Sequence, residues 1–168
     1  MALIEFKNLP DTSTPLSAEN LNHNFNELSD LQIIKLDVTE KTSLGSGAYK
    51  RLAFGAATNV VGNELSYDAT NTEVKIGENI NLIEVSGMFA IQNKVAKTGV
   101  LCKIMKNNEQ MCQVSITTEN DTYYNNLVVV TPLPINVTKD DVIYATFYGE
   151  GGDIYCQPAS YLVIRKIK

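Results

Sequence analysis

The 168-residue chain has a single histidine, only three cysteines and no apolar run approaching the roughly 18 residues of a membrane-spanning helix. It also has no excess of positive charge: 14 Lys and Arg stand against 19 Asp and Glu, a net charge of −5. The broad basic field needed for non-specific nucleic-acid binding is therefore missing, and neither a nucleic-acid nor a membrane partner is expected. The opening residues, Met1-Ala2-Leu3-Ile4-Glu5-Phe6-Lys7, lack a basic region followed by a long apolar stretch, so they do not read as a secretory signal. Cys102, Cys112 and Cys156 cannot all pair within one chain, and the first two are too far apart for a compact zinc knuckle. Free thiols packed as small apolar residues are expected, with a Cys102–Cys112 bridge between adjacent strands as the alternative.

Catalytic signatures are missing as well. There is no glycine-rich phosphate loop, no Gly-x-Ser-x-Gly and no His-Glu-x-x-His. His23 falls off the apolar seam of its segment, so it reads as a solvated helix residue rather than a ligand. The carboxylates at Glu119–Asp121 and Lys139–Asp141 sit among turn formers, where Asp and Asn hydrogen-bond their own backbone. No carboxylate pair lies near an aromatic cleft, which counts against a glycan-cleaving enzyme. The expectation is a protein that is not an enzyme, with no cofactor and no metal site.

What is present is a globular composition, 44% hydrophobic and 20% charged. After the turn formers Asp11 to Pro15, the spacing of Ala18, Leu21, Phe25 and Leu28 predicts a short amphipathic helix over Ser17–Leu31 with a heptad-like seam. At about 22 Å such a helix is marginal alone and needs a partner for its stripe. Residues 37–48 are rich in Thr, Ser and Gly and read as a linker. From Tyr49 onward the pattern is one of strands: Tyr49–Phe54, Glu64–Tyr67, Glu73–Ile76, Ile80–Ile91, Gly99–Met105, Gln110–Thr117, Tyr123–Thr131, Ile135–Val137, Val142–Tyr148, Ile154–Cys156 and Tyr161–Ile167. A change of phase within Ile80–Ile91 suggests a bulge near Ser86-Gly87. Many short strands with turn residues between them and no long helix predict a mainly β, antiparallel jelly-roll sandwich. The predicted organisation is an arm and helix over 1–36, a linker over 37–48 and a head over 49–168.

Two regions resemble known proteins. The phrase Thr14-Pro15-Leu16-Ser17-Ala18-Glu19-Asn20-Leu21-Asn22 resembles the start of small tail, fibre and baseplate proteins of phages that infect Gram-positive hosts. Val85-Ser86-Gly87-Met88-Phe89, Lys139-Asp140-Asp141-Val142-Ile143 and Tyr161-Leu162-Val163-Ile164-Arg165-Lys166-Ile167 are similar to phrases of phage fibre heads, which recur in trimeric jelly rolls of the tumour necrosis factor and complement globular-head type. The usual Lys-Gly-Asp turn is Lys139-Asp140-Asp141 here, so a positive φ is not expected in it.

The resemblance implies a homotrimeric virion protein, a fibre head or receptor-binding protein, held to other virion proteins through its N-terminal arm. A capsid head-fibre or decoration protein without receptor binding, and a carbohydrate-binding module outside any phage, are the alternatives. Trimer contacts are expected from Leu21, Phe25 and Leu28 of the helix and from Tyr161 and Val163 of the last strand. Tyr123, Tyr124, Asn125, Asn126, Asp153 and Tyr155 place aromatic faces beside polar turn residues, a combination suited to a host-surface saccharide, whose ring has an apolar C–H face and a fringe of hydroxyls.

Overall fold

Period-two burial organises the chain. In the strand Tyr161–Lys166, Leu162 and Ile164 are fully buried while Tyr161 and Val163 are half-buried on the opposite side. In Leu82–Asn93, Ile83, Val85, Gly87, Phe89 and Ile91 point inward in unbroken alternation. One apolar face per strand is the pattern of a two-layer sandwich.

The computed structural model describes residues 30–45, 47–93, 99–118, 126–150 and 154–168. These hold thirteen strands and no helix: β1 Ile33–Asp37, β2 Thr42–Gly45, β3 Lys50–Arg51, β4 Ala56–Val61, β5 Leu65–Asp68, β6 Glu73–Ile76, β7 Leu82–Asn93, β8 Gly99–Lys106, β9 Glu109–Thr117, β10 Asn126–Asn136, β11 Val142–Gly149, β12 Ile154–Cys156 and β13 Tyr161–Lys166. The predicted N-terminal helix, with Leu21, His23, Phe25 and Leu28, lies outside the described residues.

All strand pairs are antiparallel, and they form two sheets. The first runs β2-β12-β7-β13-β1-β4. Along β7, β13 takes Ile83–Met88 and β12 takes Ile91–Asn93, while β10 pairs with the opposite edge. The second runs β5-β6-β11-β8-β9, with β3 also pairing to β11. The chain is thus an antiparallel jelly-roll sandwich. Its core is the space between the sheets, where Phe89 of β7 meets Phe147 of β11 edge to face at 5.1 Å and 79°. Each fully buried Leu or Ile of that layer contributes about 1.5–3 kcal/mol.

The compact unit runs from Gln32 to Lys168. It starts earlier than the head predicted from Tyr49, because β1 and β2 come from the stretch read as arm and linker. Ile34, Leu36, Val38 and Leu44 are all buried. β4 is a strand in a stretch where none was expected. Its first four residues are small or polar, most of the strand is exposed, and among the described residues it pairs only with β1. Two expected strands, Tyr123–Thr131 and Ile135–Val137, are one strand in the described residues, β10, which continues through Pro132 and Pro134. Its ladder to β7 shifts between Val130 and Leu133, so the extra residue lies in β10 opposite Ser86 rather than in β7 itself.

The turn at Lys139-Asp140-Asp141 also differs from expectation: Asp140 has φ +67°. The backbone keeps the left-handed geometry of a glycine turn, which Asp tolerates better than most residues. The Asp140 N–H donates to Ile76 O at 3.0 Å, and the Ile76 N–H donates to Asp141 O at 2.9 Å, which ties the turn to the end of β6.

Candidate functional site

The outer face of the first sheet carries Tyr161 and Val163, the two expected trimer contacts among the described residues. Strand register sets Val129, Met88, Tyr161 and Asp37 side by side across β10, β7, β13 and β1. The next row is Ser86, Val163 and Lys35, and the one after it is Glu84, Arg165 and Ile33. Leu127 and Val129 of β10 stand 48% and 50% exposed at one side of this face. The polar groups are paired: Arg165 Nε lies 2.8 Å from Glu84 Oε1, and Lys35 Nζ lies 2.7 Å from Asp37 Oδ1 and 5.6 Å from the centre of the Tyr161 ring. An apolar band flanked by satisfied ion pairs has the composition of a protein interface, with its apolar centre and polar rim.

Of the six residues expected to meet a receptor, Tyr123, Tyr124, Asn125 and Asp153 lie outside the described residues. Asn126 begins β10 opposite Ile91, and Tyr155 lies on β12 opposite Gln92. The two therefore flank neighbouring residues of β7 from opposite edges. Tyr155 is half-buried, and Lys41 Nζ sits 4.1 Å from the centre of its ring.

The outer face of the second sheet holds an aromatic cluster that the sequence reading missed. Tyr49, just before β3, stacks on Tyr148 of β11 with ring centres 5.2 Å apart and planes tilted by 40°. Lys103 Nζ of β8 lies 4.1 Å from the Tyr49 ring centre. The backbone bond from the Gly47 N–H to Gly149 O, at 3.0 Å, lays the segment before β3 along β11 and brings the tyrosines together. Gly47 has φ +72°, a conformation open to glycine without strain. The two tyrosines are far apart in sequence, so only the pairing of β3 with β11 reveals the cluster. Next to it, Arg51 lies over the Tyr144 ring at 3.7 Å and donates to Glu73 Oε2 at 2.8 Å, fastening β3 to its neighbours.

A third feature, at the edge of the second sheet, is a cleft of about 200 Å³ lined by Glu64, Ser66, Lys75, Gly77, Lys139 and Asp140 among others. Its charges are matched internally, Lys75 with Asp140 at 2.9 Å and Lys139 with Glu78.

The three cysteines are free. Cys102 pairs in register with Val114 and Cys112 with Ile104, so the two thiols are displaced by one same-face step rather than opposed. Burial raises the Cys102 thiol strongly and pushes Cys156 up to about 11, which keeps both as unreactive thiols at neutral pH. Among the described residues no group of three or more His, Cys, Asp or Glu side chains is placed to hold a metal ion.

By sequence, no family model and no curated protein matches the chain. By structure, murine APRIL is similar with a TM-score of 0.58 at 11% identity, covering 82% of this chain and all of its own. Eiger TNF of S. frugiperda is similar at a TM-score of 0.56 and 8% identity, over 82% of this chain and 92% of its own. The PRD1 vertex protein P5 is similar at 0.57 and 15% identity, over 82% of this chain and 73% of its own. These likenesses show the fold, a TNF-like jelly roll.

Proposed function

We propose that the chain is a structural protein of a phage particle, a trimeric fibre head that binds the host surface. The observation that carries this reading is the apolar band of Leu127, Val129, Met88, Tyr161 and Val163 on the outer face of the first sheet. A face of this kind on a soluble sandwich calls for a cover, and a second and third copy of the same chain supply one with matched chemistry. The jelly rolls that the Val85, Lys139 and Tyr161 phrases resemble assemble as trimers, and the Thr14-Pro15 phrase resembles virion attachment segments. Leu21, Phe25 and Leu28 would then join the trimer contacts, the N-terminal arm would dock the head on other virion proteins, and three copies would strengthen weak single-site binding to a host saccharide.

A second reading is favoured by one neighbour. PRD1 P5 is a vertex protein, which suits a capsid-bound decoration protein of the same fold. Gold-labelled antibody against residues 32–168 separates the two on particles of a phage that encodes this chain. Label at the tail tip supports the fibre-head reading, label on the capsid supports decoration, and unlabelled particles overturn both.

A further inference from the structure

The described residues include five exposed large apolar side chains: Tyr49, Val60, Leu127, Val129 and Ile167. Four belong to the first sheet or directly follow its strand β13. Tyr49 alone lies on the second sheet, 47% exposed, where a trimer closed through the first sheet gives it no cover. Its surroundings are chemically specific. Tyr148 supports the ring from one side, and the Lys103 ammonium lies over it. Lys103 has no carboxylate partner among the described residues, in contrast to Lys35, Lys75, Lys106 and Lys139. Inward-pointing Cys102, Ile104 and Phe147 fix the alternation, so Lys103, Leu101, Thr146 and Tyr148 all face outward. Register then places Gln113 beside Lys103 and Ser115 beside Leu101, both exposed.

This surface combines a half-exposed aromatic ring, an ammonium held over that ring with no carboxylate partner among the described residues, and an exposed amide and hydroxyl. A sugar ring matches it: the C–H face lies on an aromatic ring, and the peripheral hydroxyls accept from an ammonium and exchange hydrogen bonds with an amide. We propose that Tyr49, Tyr148, Lys103 and Gln113 form a saccharide-binding subsite on the outer sheet, with Lys103 swinging off the Tyr49 ring to donate to the sugar's oxygens and the sugar ring taking its place on Tyr49. The inference rests on the reading above in one respect: the second sheet faces outward because the first is covered.

Saturation-transfer NMR on the full chain tests it with two probes, an N-acetylglucosamine tetrasaccharide and a galacturonate tetrasaccharide. Transfer to at least one probe is expected. Tyr49→Ala and Lys103→Ala should each weaken it by about ten-fold, as loss of a central contact does, and Tyr49→Phe should retain it. Binding by both alanine variants at wild-type strength overturns the site, as does the absence of transfer to either probe. Sedimentation with purified Gram-positive cell walls is read in parallel. Wall binding that survives both alanine substitutions removes this subsite and leaves the adhesive reading standing, while a wild-type chain that fails to sediment counts against the adhesive reading itself.

Discussion

Asn107 donates through Nδ2 to Asp141 Oδ1 at 2.8 Å, joining the β8–β9 turn to the turn that precedes β11. The pair is reciprocated by the backbone, since the Val142 N–H donates to Asn107 Oδ1 at 3.0 Å and the Asn107 N–H donates to Val142 O at 2.8 Å. Asp141 also accepts from the Thr138 N–H at 2.9 Å, and Lys106 Nζ lies 3.8 Å away. Burial pushes the Asp141 carboxyl up, but the Asn107 and Thr138 hydrogen bonds and the Lys106 charge outweigh it, leaving the group below the ordinary carboxylate value.

That shift fixes a pH dependence. A carboxyl whose folded pKa lies below its unfolded value near 3.9 stabilises the fold fully above that value and loses the contribution as pH falls through the folded pKa. Asp141→Asn should therefore lower the melting temperature at pH 7, and the gap from wild type should narrow as pH falls below the ordinary carboxylate range. A gap that stays constant between pH 7 and pH 2 would show that the Asp141 charge contributes nothing to it.

Asp140 tests the cost of its backbone. At φ +67° a non-glycine residue is strained by about 1 kcal/mol, against which the Lys75–Asp140 pair sets little, because both side chains are more than half exposed. Asp140→Gly should match or slightly exceed wild-type stability. Asp140→Val should fall below it by about 1–2 kcal/mol, since a β-branched residue is excluded from this region. Thermal melts of the two variants in the reverse order would contradict the assignment of the turn.

The domain boundary can be tested by truncation. A chain that begins at Gln32 should melt cooperatively with a β-sheet circular dichroism spectrum, because the compact unit begins there. A chain that begins at Thr39 should not, because it loses β1 and the buried side chains of Ile34, Leu36 and Val38. If both truncations fold alike, β1 is dispensable and the boundary expected near Tyr49 regains its standing.

How much of this was legible beforehand depended on burial. β7, β8 and β13 bury every second residue, so their alternation marks strands and the sandwich, whereas β11 buries Ile143 to Phe147 without a break. β2 buries only Leu44, and β4 buries no residue, so neither leaves an apolar pattern to read. β1 does alternate, but its five residues are too few to stand out between the segment of helical spacing and the Thr-, Ser- and Gly-rich stretch, and they straddle the expected boundary of arm and linker. The phase of β13 was open in the sequence, and Leu162 and Ile164 in the core answer it. The Tyr49–Tyr148 cluster depends on strand pairing between distant segments, which local pattern cannot supply.

The central claim is that three copies close over the outer face of the first sheet, and light scattering coupled to size exclusion tests it most directly. The wild-type chain should run at about three times its 18.5 kDa mass. Val129→Asp and Val163→Asp, which place a carboxylate on that outer face, should keep the β-sheet spectrum and fall to the single-chain mass, since a buried unpaired charge at an interface is strongly unfavourable. Leu162→Asp, one residue away on the core side, should instead unfold the chain. A wild-type chain that is monomeric at micromolar concentration, or outer-face variants that remain trimeric, would contradict the account.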